Sequence, residues 1–203
     1  MNDEQEKTIV FVDGDGVLWN CDERFNLARK LANKNWPDSA IENMDQLKMS
    51  SNMFKTIFWR IAFWPDLVVL DTPIDDAQRT LDEIYHRYYR TWILTSNPEH
   101  TFDARAVWLE RYGFLPNVAL LTKPADQQYT KTTKWKAEVV HQKIIETGAQ
   151  RVIYIDDEIA NSDQVATMLA IAHPAIFDGH AEFYGSLAMW RWTRGSDHIA
   201  QSS

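Results

Sequence analysis

The fold of this chain is decided by residues 8–19, which read TIVFVDGDGVLW. The apolar run at the start is rich in Val, Ile and Phe, and such a run predicts a strand that is buried on both faces of a parallel sheet. Ligands bind beyond the carboxyl ends of the strands in open parallel sheets, so we expect a functional site at Asp13 and Asp15. Gly14 and Gly16 let the backbone turn away after the strand, so that both carboxylates can converge on one point.

Two carboxylates held this close repel each other unless a cation lies between them. A hard cation such as Mg2+ is the predicted neutraliser, because it takes oxygen ligands and binds through one or two carboxylates together with substrate phosphate. Asp-Gly-Asp-Gly is also an ordinary turn sequence, since Asp and Gly are common turn residues. Residues 13–16 alone therefore leave the metal site and the plain turn as equal alternatives.

Two later segments repeat the arrangement of an apolar run that stops at polar side chains. The run at residues 151–155 stops at three acids, and the run at residues 91–94 stops at two hydroxyls. These polar residues are Asp156, Asp157 and Glu158 in the first case and Thr95 and Ser96 in the second. If the three strands are parallel neighbours, their carboxyl ends surround one crevice, where hydroxyl donors suit a phosphate oxygen. The turn alternative does not explain this coincidence.

In this order of motifs the chain resembles the haloacid dehalogenase-like hydrolase superfamily. Its members carry a strand ending in Asp-x-Asp, a strand ending in Thr or Ser, a Lys, and a strand ending in a second acidic pair. The resemblance implies that Asp13 is a nucleophile that forms an aspartyl-phosphate and that Asp15 is the general acid and base. It also implies that Thr95 or Ser96 binds the phosphoryl group, while a Lys holds nucleophile and phosphate together. The Mg2+ ligands assigned in this way are Asp13, Asp15, Asp156 and Asp157.

The alternation of strands and helices predicts an α/β protein with a Rossmann-like parallel sheet flanked by helices. The first acid pair and the hydroxyl pair are 80 residues apart, whereas a simple crossover needs roughly a dozen or more. Residues 20–66 are therefore predicted to be a helical cap insertion after the first strand, which leaves residues 1–19 and 67–203 as the hydrolase core. A final edge strand is expected at residues 175–177.

The cap segment is dense in aromatic residues, namely Trp36, Phe54, Phe58, Trp59, Phe63 and Trp64. Most of these rings are expected to form the small core of the insertion. The resemblance implies that a cap closes over the site and selects the substrate. One or two of the rings could then stack on a base or another planar group.

The identity of the lysine is open among several candidates. Lys123 follows an apolar run, which places it on a loop at another strand end. Lys131, Lys134 and Lys136 lie at the start of a helix predicted over residues 133–147. A Lys in the first turn opposes the helix macrodipole unless an anion is present, which favours a functional role for one of the three. Lys136 fits the family pattern best, and Lys123 is the second choice.

Two branches of the superfamily imply different residues for the phosphoryl-binding hydroxyl and for the lysine. Residues 70–77, 94–96 and 106–113 look like the 5′(3′)-deoxyribonucleotidases, and that resemblance favours Thr95 and Lys123. The 3′-phosphatase domains of polynucleotide kinases instead share the double Asp and a Lys at the head of a helix. The resemblance therefore leaves the substrate open between a small nucleotide-like metabolite and a nucleic-acid end.

Composition limits the classes of partner. The chain of 203 residues has 29 acids against 21 bases and a net charge of −8, which argues against an extended nucleic-acid surface. The single cysteine, Cys21, excludes an internal disulfide. Residues 1–7 are polar, and the sequence contains neither a signal-peptide pattern nor a membrane-spanning run, so a cytoplasmic protein without a membrane partner is expected. The oligomeric state stays undetermined.

The leading hypothesis is a Mg2+-dependent phosphomonoester hydrolase that acts on a small phosphorylated substrate, such as a nucleotide, through an aspartyl-phosphate. The alternatives are nucleic-acid end processing of the polynucleotide 3′-phosphatase type and a non-catalytic phosphate-binding module. Haloacid dehalogenation is disfavoured, because that chemistry needs neither a metal nor an acid at the Asp15 position.

Overall fold

The computed structural model describes residues 7–34, 47–114 and 118–200. The strands in chain order are β1 (Thr8–Val12), β2 (Trp19–Asn20), β3 (Thr72–Pro73), β4 (Arg90–Pro98), β5 (Ala119–Lys123), β6 (Arg151–Ile155) and β7 (Ala181–Tyr184). The helices are α1 (Asp22–Lys34), α2 (Leu47–Ala62), α3 (Pro65–Val68), α4 (Ala77–Arg87), α5 (Phe102–Arg111), α6 (Thr132–Thr147), α7 (Ile159–Ala172), α8 (Pro174–Phe177) and α9 (Leu187–Ala200).

Five strands form one parallel sheet in the order β5-β4-β1-β6-β7. Strand β1 lies at its centre, and all five of its residues are buried, as expected for a strand with helices on both faces. Val12 pairs with Ile93 of β4 and with Ile155 of β6. The carboxyl ends of the three motif-bearing strands therefore meet at one edge of the sheet, as the sequence predicts.

Alternate residues of the strands supply two separate apolar cores, because successive side chains of a strand point to opposite faces. One face carries Val10 and Val12 and packs against α4, α5 and α9. The other carries Ile9 and Phe11 and packs against α6 and α7. The prediction of a Rossmann-like α/β sheet flanked by helices is confirmed.

Helices α1, α2 and α3 share a third apolar cluster, which includes Ala28, Ile61 and Leu67. The described part of the segment between β1 and α4 is thus largely helical, and the antiparallel pairing of β2 with β3 brings its two ends together. The division into a cap at residues 20–66 and a core stays a prediction. Trp36 lies outside the described residues.

The expected edge strand at residues 175–177 is wrong. These residues belong to the short helix α8, which has Pro174 at its start, where the fixed backbone angle of proline favours a helix. The last strand of the sheet is instead β7, which begins at Ala181 and pairs with β6. An apolar run of three residues is too short for its periodicity to distinguish a strand from a helical turn.

Within the described residues, every helix is too short or too polar to cross a membrane.

Candidate active site

The first acids of the two motif strands lie side by side. Asp13 follows the last residue of β1, Asp156 follows the last residue of β6, and the Asp13 N–H donates to the Ile155 carbonyl at 2.8 Å. Both acids are buried. The parallel register thus holds two carboxylates at the same level of the sheet.

Lys136 joins these two carboxylates. Its Nζ lies 2.9 Å from Asp13 Oδ1 and 2.7 Å from Asp156 Oδ2, and the residue is only 1 % exposed. Burial alone would lower the pKa of Lys136, but the charges of Asp13 and Asp156 outweigh it and raise the pKa above its usual range. Among the candidate lysines, Lys136 therefore has the contacts expected of a residue that clamps nucleophile and phosphate.

The position of Lys136 on the inner face of α6 explains its direction. Val140 and Ile144 follow it at intervals of four residues, and both are buried in the core beneath the sheet. Side chains four apart share one face of a helix. The same packing that buries these apolar residues therefore drives the Lys136 ammonium into the protein, next to the strand ends.

Asp13, Asp156 and Asp157 form a group that could hold a metal ion, since one carboxylate oxygen from each lies within 4.8 Å of the others. Gly16 makes this approach possible: it has φ +81°, and a Cβ built there would lie 2.3 Å from Asp157 Oδ2. Burial, followed by the charge of Asp156, raises the pKa of Asp157. The Lys136 ammonium alone does not balance three carboxylates, whereas the ammonium together with a hard divalent cation would, so the donor set fits Mg2+.

Asp156 is oriented by donors that sequence reasoning did not assign. The Tyr154 hydroxyl donates to its Oδ2 at 2.8 Å, and the Glu158 N–H and the Asn161 side chain donate to its Oδ1 at 3.0 Å. Asn161 is buried in the first turn of α7. Groups that fix a metal-ligating carboxylate in this way are a common feature of metal sites.

The side chain of Asp15 lies outside the Asp13 group. Its Oδ1 accepts hydrogen bonds from Arg24 Nη2 at 2.7 Å, from Trp19 Nε1 at 2.5 Å and from Cys21 Sγ at 3.0 Å. Burial would raise the pKa of Asp15, but the charges of Arg24 and Arg105 outweigh it and lower the pKa. Of the four acids predicted to bind metal, the structure thus brings together three carboxylates and turns the fourth towards arginine.

A buried charge cluster, formed by Asp15, Arg24, Asp71 and Arg105, extends behind Asp15. Arg24 Nε lies 3.1 Å and Arg105 Nη2 lies 2.7 Å from the Asp71 carboxylate, and all three of these side chains are fully buried. The amphipathic pattern of α1 could have predicted that Arg24 is buried. Arg24 stands four residues before the buried Ala28, and residues at this spacing share one face of a helix. Arg105 stands in the same way before the buried Leu109 of α5.

Arg24→Met is expected to lower the free energy of unfolding by about 3–5 kcal/mol, because breaking a buried ion pair leaves an uncompensated charge. The measurement is urea denaturation at neutral pH. Arg29→Met is the matched control, since Arg29 lies exposed on the same helix and contacts Asn26 Oδ1 at 3.3 Å, and it should change stability by less than about 0.5 kcal/mol. Equal losses in the two variants would contradict the assignment of Arg24 to a buried cluster.

The structure separates the two hydroxyl candidates. Thr95 is fully buried, and its Oγ1 accepts the Asn97 N–H at 3.3 Å. Ser96 is half-buried and lines the same cavity as Asp13. This cavity, the acidic cavity, has a volume of about 530 Å³ and opens above the strand ends. A phosphoryl group in it would meet Ser96 rather than Thr95.

Lys123 lies apart from the Asp13 group. It is the last residue of β5 and is buried, and its Nζ donates to the Thr130 carbonyl. It lines a neighbouring cavity together with Ser96 and not the acidic cavity. Lys136 and Lys123, the two lysines between which the sequence did not decide, therefore line two different cavities.

No family model matches the chain, and no curated protein matches its sequence. Solved structures do match its fold. A haloacid dehalogenase-like family hydrolase from Streptococcus pneumoniae aligns with a TM-score of 0.55 at 14% identity, over 89% of this chain and 93% of its own. A haloacid dehalogenase superfamily hydrolase of subfamily IA from Geobacter sulfurreducens aligns with a TM-score of 0.55 at 15% identity, over 82% of this chain and 86% of its own.

A predicted phosphatase from Clostridium acetobutylicum also aligns, with a TM-score of 0.55 at 12% identity, over 81% of this chain and 82% of its own. These identities establish a common fold and leave the activity to be argued from the residues. The five-stranded parallel sheet, with its acids at the ends of β1 and β6, gives this chain the fold of the haloacid dehalogenase-like hydrolases.

Proposed function

We propose that this protein is a Mg2+-dependent phosphomonoester hydrolase that works through an aspartyl-phosphate on Asp13. The observation that carries the proposal is the Lys136 ammonium, which lies within 3 Å of both Asp13 and Asp156 at the floor of the acidic cavity. A carboxylate, an ammonium and further acids at one strand edge suit phosphoryl transfer, where positioning and charge stabilisation supply most of the catalysis.

In the first step the carboxylate of Asp13 attacks phosphorus, and the bond from phosphorus to the leaving oxygen breaks. Lys136 holds Asp13 in place and faces the negative charge of the transferring group. Ser96 would donate a hydrogen bond to a phosphoryl oxygen from the wall of the cavity. Covalent catalysis of this kind divides one difficult hydrolysis into two easier transfers.

In the second step water attacks the phosphorus of the aspartyl-phosphate, and Asp15 takes the proton from the water. The bond from phosphorus to the Asp13 oxygen breaks, which releases phosphate and restores the Asp13 carboxylate. The lowered pKa of Asp15, caused by Arg24 and Arg105 against the effect of burial, keeps it ionised and therefore free to accept this proton. Protonation of the leaving oxygen in the first step also falls to Asp15, which delivers the proton that it took from water in the preceding turnover and is ionised again afterwards.

The residues that would hold Mg2+ are Asp13, Asp156 and Asp157. Bound there, the ion would offset the negative charge of the phosphoryl group and of the carboxylates around it.

The cap segment supports a small substrate with a planar part. The rings of Trp59 and Phe63 stack with centroids 5.6 Å apart, and both line the acidic cavity. Phe54 and Phe58 instead pack against the apolar cluster of α1, α2 and α3. We therefore assign only Trp59 and Phe63 to the substrate, which we propose to be a small phosphorylated metabolite such as a nucleotide.

Phosphate release from para-nitrophenyl phosphate tests the proposed function. We expect turnover with Mg2+ and its loss in excess EDTA, because the three carboxylates then face the phosphate without a cation between them. Restoration of activity on adding Mg2+ back is the control for damage by the chelator. Absence of turnover with Mg2+ on this substrate and on a panel of phosphorylated metabolites would favour a non-catalytic phosphate-binding module instead.

Ser96→Ala is expected to lower kcat/KM for para-nitrophenyl phosphate by about 10- to 100-fold, which corresponds to the loss of one hydrogen bond to a charged group. Thr95→Val is the paired variant, since Thr95 is buried and does not line the cavity. Its effect should fall mainly on thermal stability, measured as Tm. A larger loss of kcat/KM in Thr95→Val, with Tm unchanged, would transfer the phosphoryl contact to Thr95.

A further inference from the structure

A second cavity adjoins the acidic cavity and has a volume of about 460 Å³. We name it the basic cavity for its charged residues. Its lining includes the aromatic rings of Trp59 and Phe63 and the charged side chains of Arg60, Lys123 and Lys131. Trp59, Phe63, Ser96 and Thr132 line both cavities. A molecule whose phosphate lies in the acidic cavity can therefore extend into the basic one.

The two cavities differ sharply in charge. The ionisable lining of the basic cavity consists of Arg60, Lys123, Lys131 and His100, and no Asp or Glu is among the described residues that line it. The acidic cavity is lined by four aspartates and a glutamate, with Lys136 as its basic residue. The whole chain has a net charge of −8. The lining of the basic cavity is therefore more positively charged than the average surface of the protein.

Lys123 is the most informative residue of the basic cavity. It is 6 % exposed, its Nζ donates to the Thr130 carbonyl, and within the described ranges it forms no ion pair. An ammonium has three N–H donors, and burying its charge without a carboxylate is costly. Lys136 provides the contrast, because it is also buried but lies against two carboxylates.

The amino end of α6 adds to the positive potential of the basic cavity. Lys131 is the N-cap of this helix, its side chain makes no capping hydrogen bond, and the first turn contains no acid. Lys131 and Thr132 both line the basic cavity. The uncapped N–H groups at the start of a helix of 16 residues favour an anion.

Glu99 is the acid nearest in sequence to the residues that line the basic cavity, and its carboxylate accepts a hydrogen bond from a backbone N–H outside that lining. Glu99 precedes His100, but its Oε2 accepts the Ala125 N–H at 3.2 Å. His100 is held by the Phe63 carbonyl, which lies 3.0 Å from its Nε2. The charged lining of the basic cavity therefore comes from α2, from His100 just after β4, from the end of β5 and from the start of α6. Among the described residues that line it, there is no carboxylate to neutralise Lys123.

We propose that the basic cavity binds a second anionic group of the substrate and that Lys123 is its central contact. The substrate class is then a phosphomonoester that carries a second phosphate or a carboxylate, with its body against the stacked rings of Trp59 and Phe63. This inference rests on the proposed function for the phosphate in the acidic cavity. The basic cavity itself is defined by residues that play no part in phosphoryl transfer, apart from Ser96.

Anion binding without turnover is the first test. Inorganic phosphate is titrated by calorimetry into the metal-free protein at low ionic strength, where the acids around Asp13 repel anions and the basic cavity does not. We expect wild-type protein to bind phosphate and Lys123→Met to bind it at least about tenfold more weakly. Lys134→Met is the matched control, since Lys134 is exposed on α6 and pairs with Glu138 at 3.6 Å; it should bind like wild type.

Two further readouts separate binding from folding. Lys123→Met removes a buried charge without a carboxylate partner, so its Tm in phosphate-free buffer should equal or exceed that of wild type, while the rise in Tm caused by phosphate should disappear. Lys123→Arg keeps the charge and should keep most of the rise. Equal phosphate binding by wild type and Lys123→Met, or no binding by either, would overturn the proposal.

Matched aryl substrates identify the second anion. Phenyl phosphate is compared with aryl phosphates that carry a second phosphate or a carboxylate across one ring or two. We expect wild type to prefer one of the doubly anionic series, whose identity distinguishes a phosphate from a carboxylate, and Lys123→Met to reduce that preference in kcat/KM at least about tenfold. A preference that is absent in wild type, or unchanged in the variant, contradicts the proposal.

The two proposals fail separately. Lys123-dependent phosphate binding without any turnover would reject the hydrolase and retain the anion site. Turnover of phenyl phosphate without Lys123-dependent binding would do the reverse.

Discussion

Asp13→Asn is expected to abolish hydrolysis of para-nitrophenyl phosphate, with a loss in kcat of at least about a thousandfold, or ~4 kcal/mol of transition-state stabilisation. The amide is nearly the same size as the carboxylate but cannot form a stable acyl phosphate. Because the pKa of Asp13 is raised by burial and by the charges of Asp156 and Asp15, against the effect of Lys136, a neutral side chain is tolerated there. The fold should therefore persist, as checked by circular dichroism.

Asp22→Asn is the matched control for Asp13→Asn. Asp22 also lines the acidic cavity but is exposed at the start of α1, so its loss removes one negative charge without touching the strand-end acids. It should retain most of the wild-type rate. If Asp13→Asn keeps more than a small fraction of the wild-type rate, the covalent mechanism is refuted.

Lys136→Met is the second change with a large expected effect. It leaves the Asp13 and Asp156 carboxylates without their shared cation, and breaking a buried pair in this way costs about 3–5 kcal/mol of unfolding free energy. On para-nitrophenyl phosphate, kcat should fall at least about tenfold further than in Lys123→Met, since of these two lysines it is Lys136 that lies against Asp13, the proposed nucleophile. Urea denaturation and steady-state kinetics at a temperature where both variants are folded measure the two effects.

A double-mutant cycle separates the charge pairing from simple loss of packing. Combining Lys136→Met with Asp13→Asn removes both ends of the 2.9 Å contact, so the double variant should lose less stability than the sum of the single variants. Additive losses would mean that the contact carries no net interaction. Equal, small losses of kcat in Lys136→Met and Lys123→Met would mean that neither lysine holds the nucleophile and the phosphate together. Lys131 and Lys134 would then be the remaining candidates for that role.

The local pattern of the sequence was sufficient for the sheet and for its acidic edge. Apolar runs that end at Asp13, Thr95 and Asp156 predict buried parallel strands, because a strand with helices on both faces has to be apolar on both sides. The ends of parallel strands then coincide without any knowledge of the helices. A run of three residues, as at 175–177, carries too little periodicity, and there the structure has helix α8.

The choice between the lysines required the tertiary structure. Both Lys123 and Lys136 are polar positions near predicted element ends, and the sequence contains nothing that measures the distance from either to Asp13. The packing of Val140 and Ile144 decides which lysine reaches Asp13. It turns one face of α6 towards the sheet and so places Lys136 next to the carboxylates. Lys123 is left at the end of β5, in the neighbouring cavity.

The environment of Asp15 likewise depends on contacts between distant segments. The sequence determines that two acids follow β1, because their spacing from the strand is local. It does not determine which cation each acid meets, since Arg24, Asp71 and Arg105 come from three separate parts of the chain. Only the packing of α1 and α5 against the strand edge brings these charges together, and burial in a medium of low polarity makes their pairing decisive for the state of Asp15.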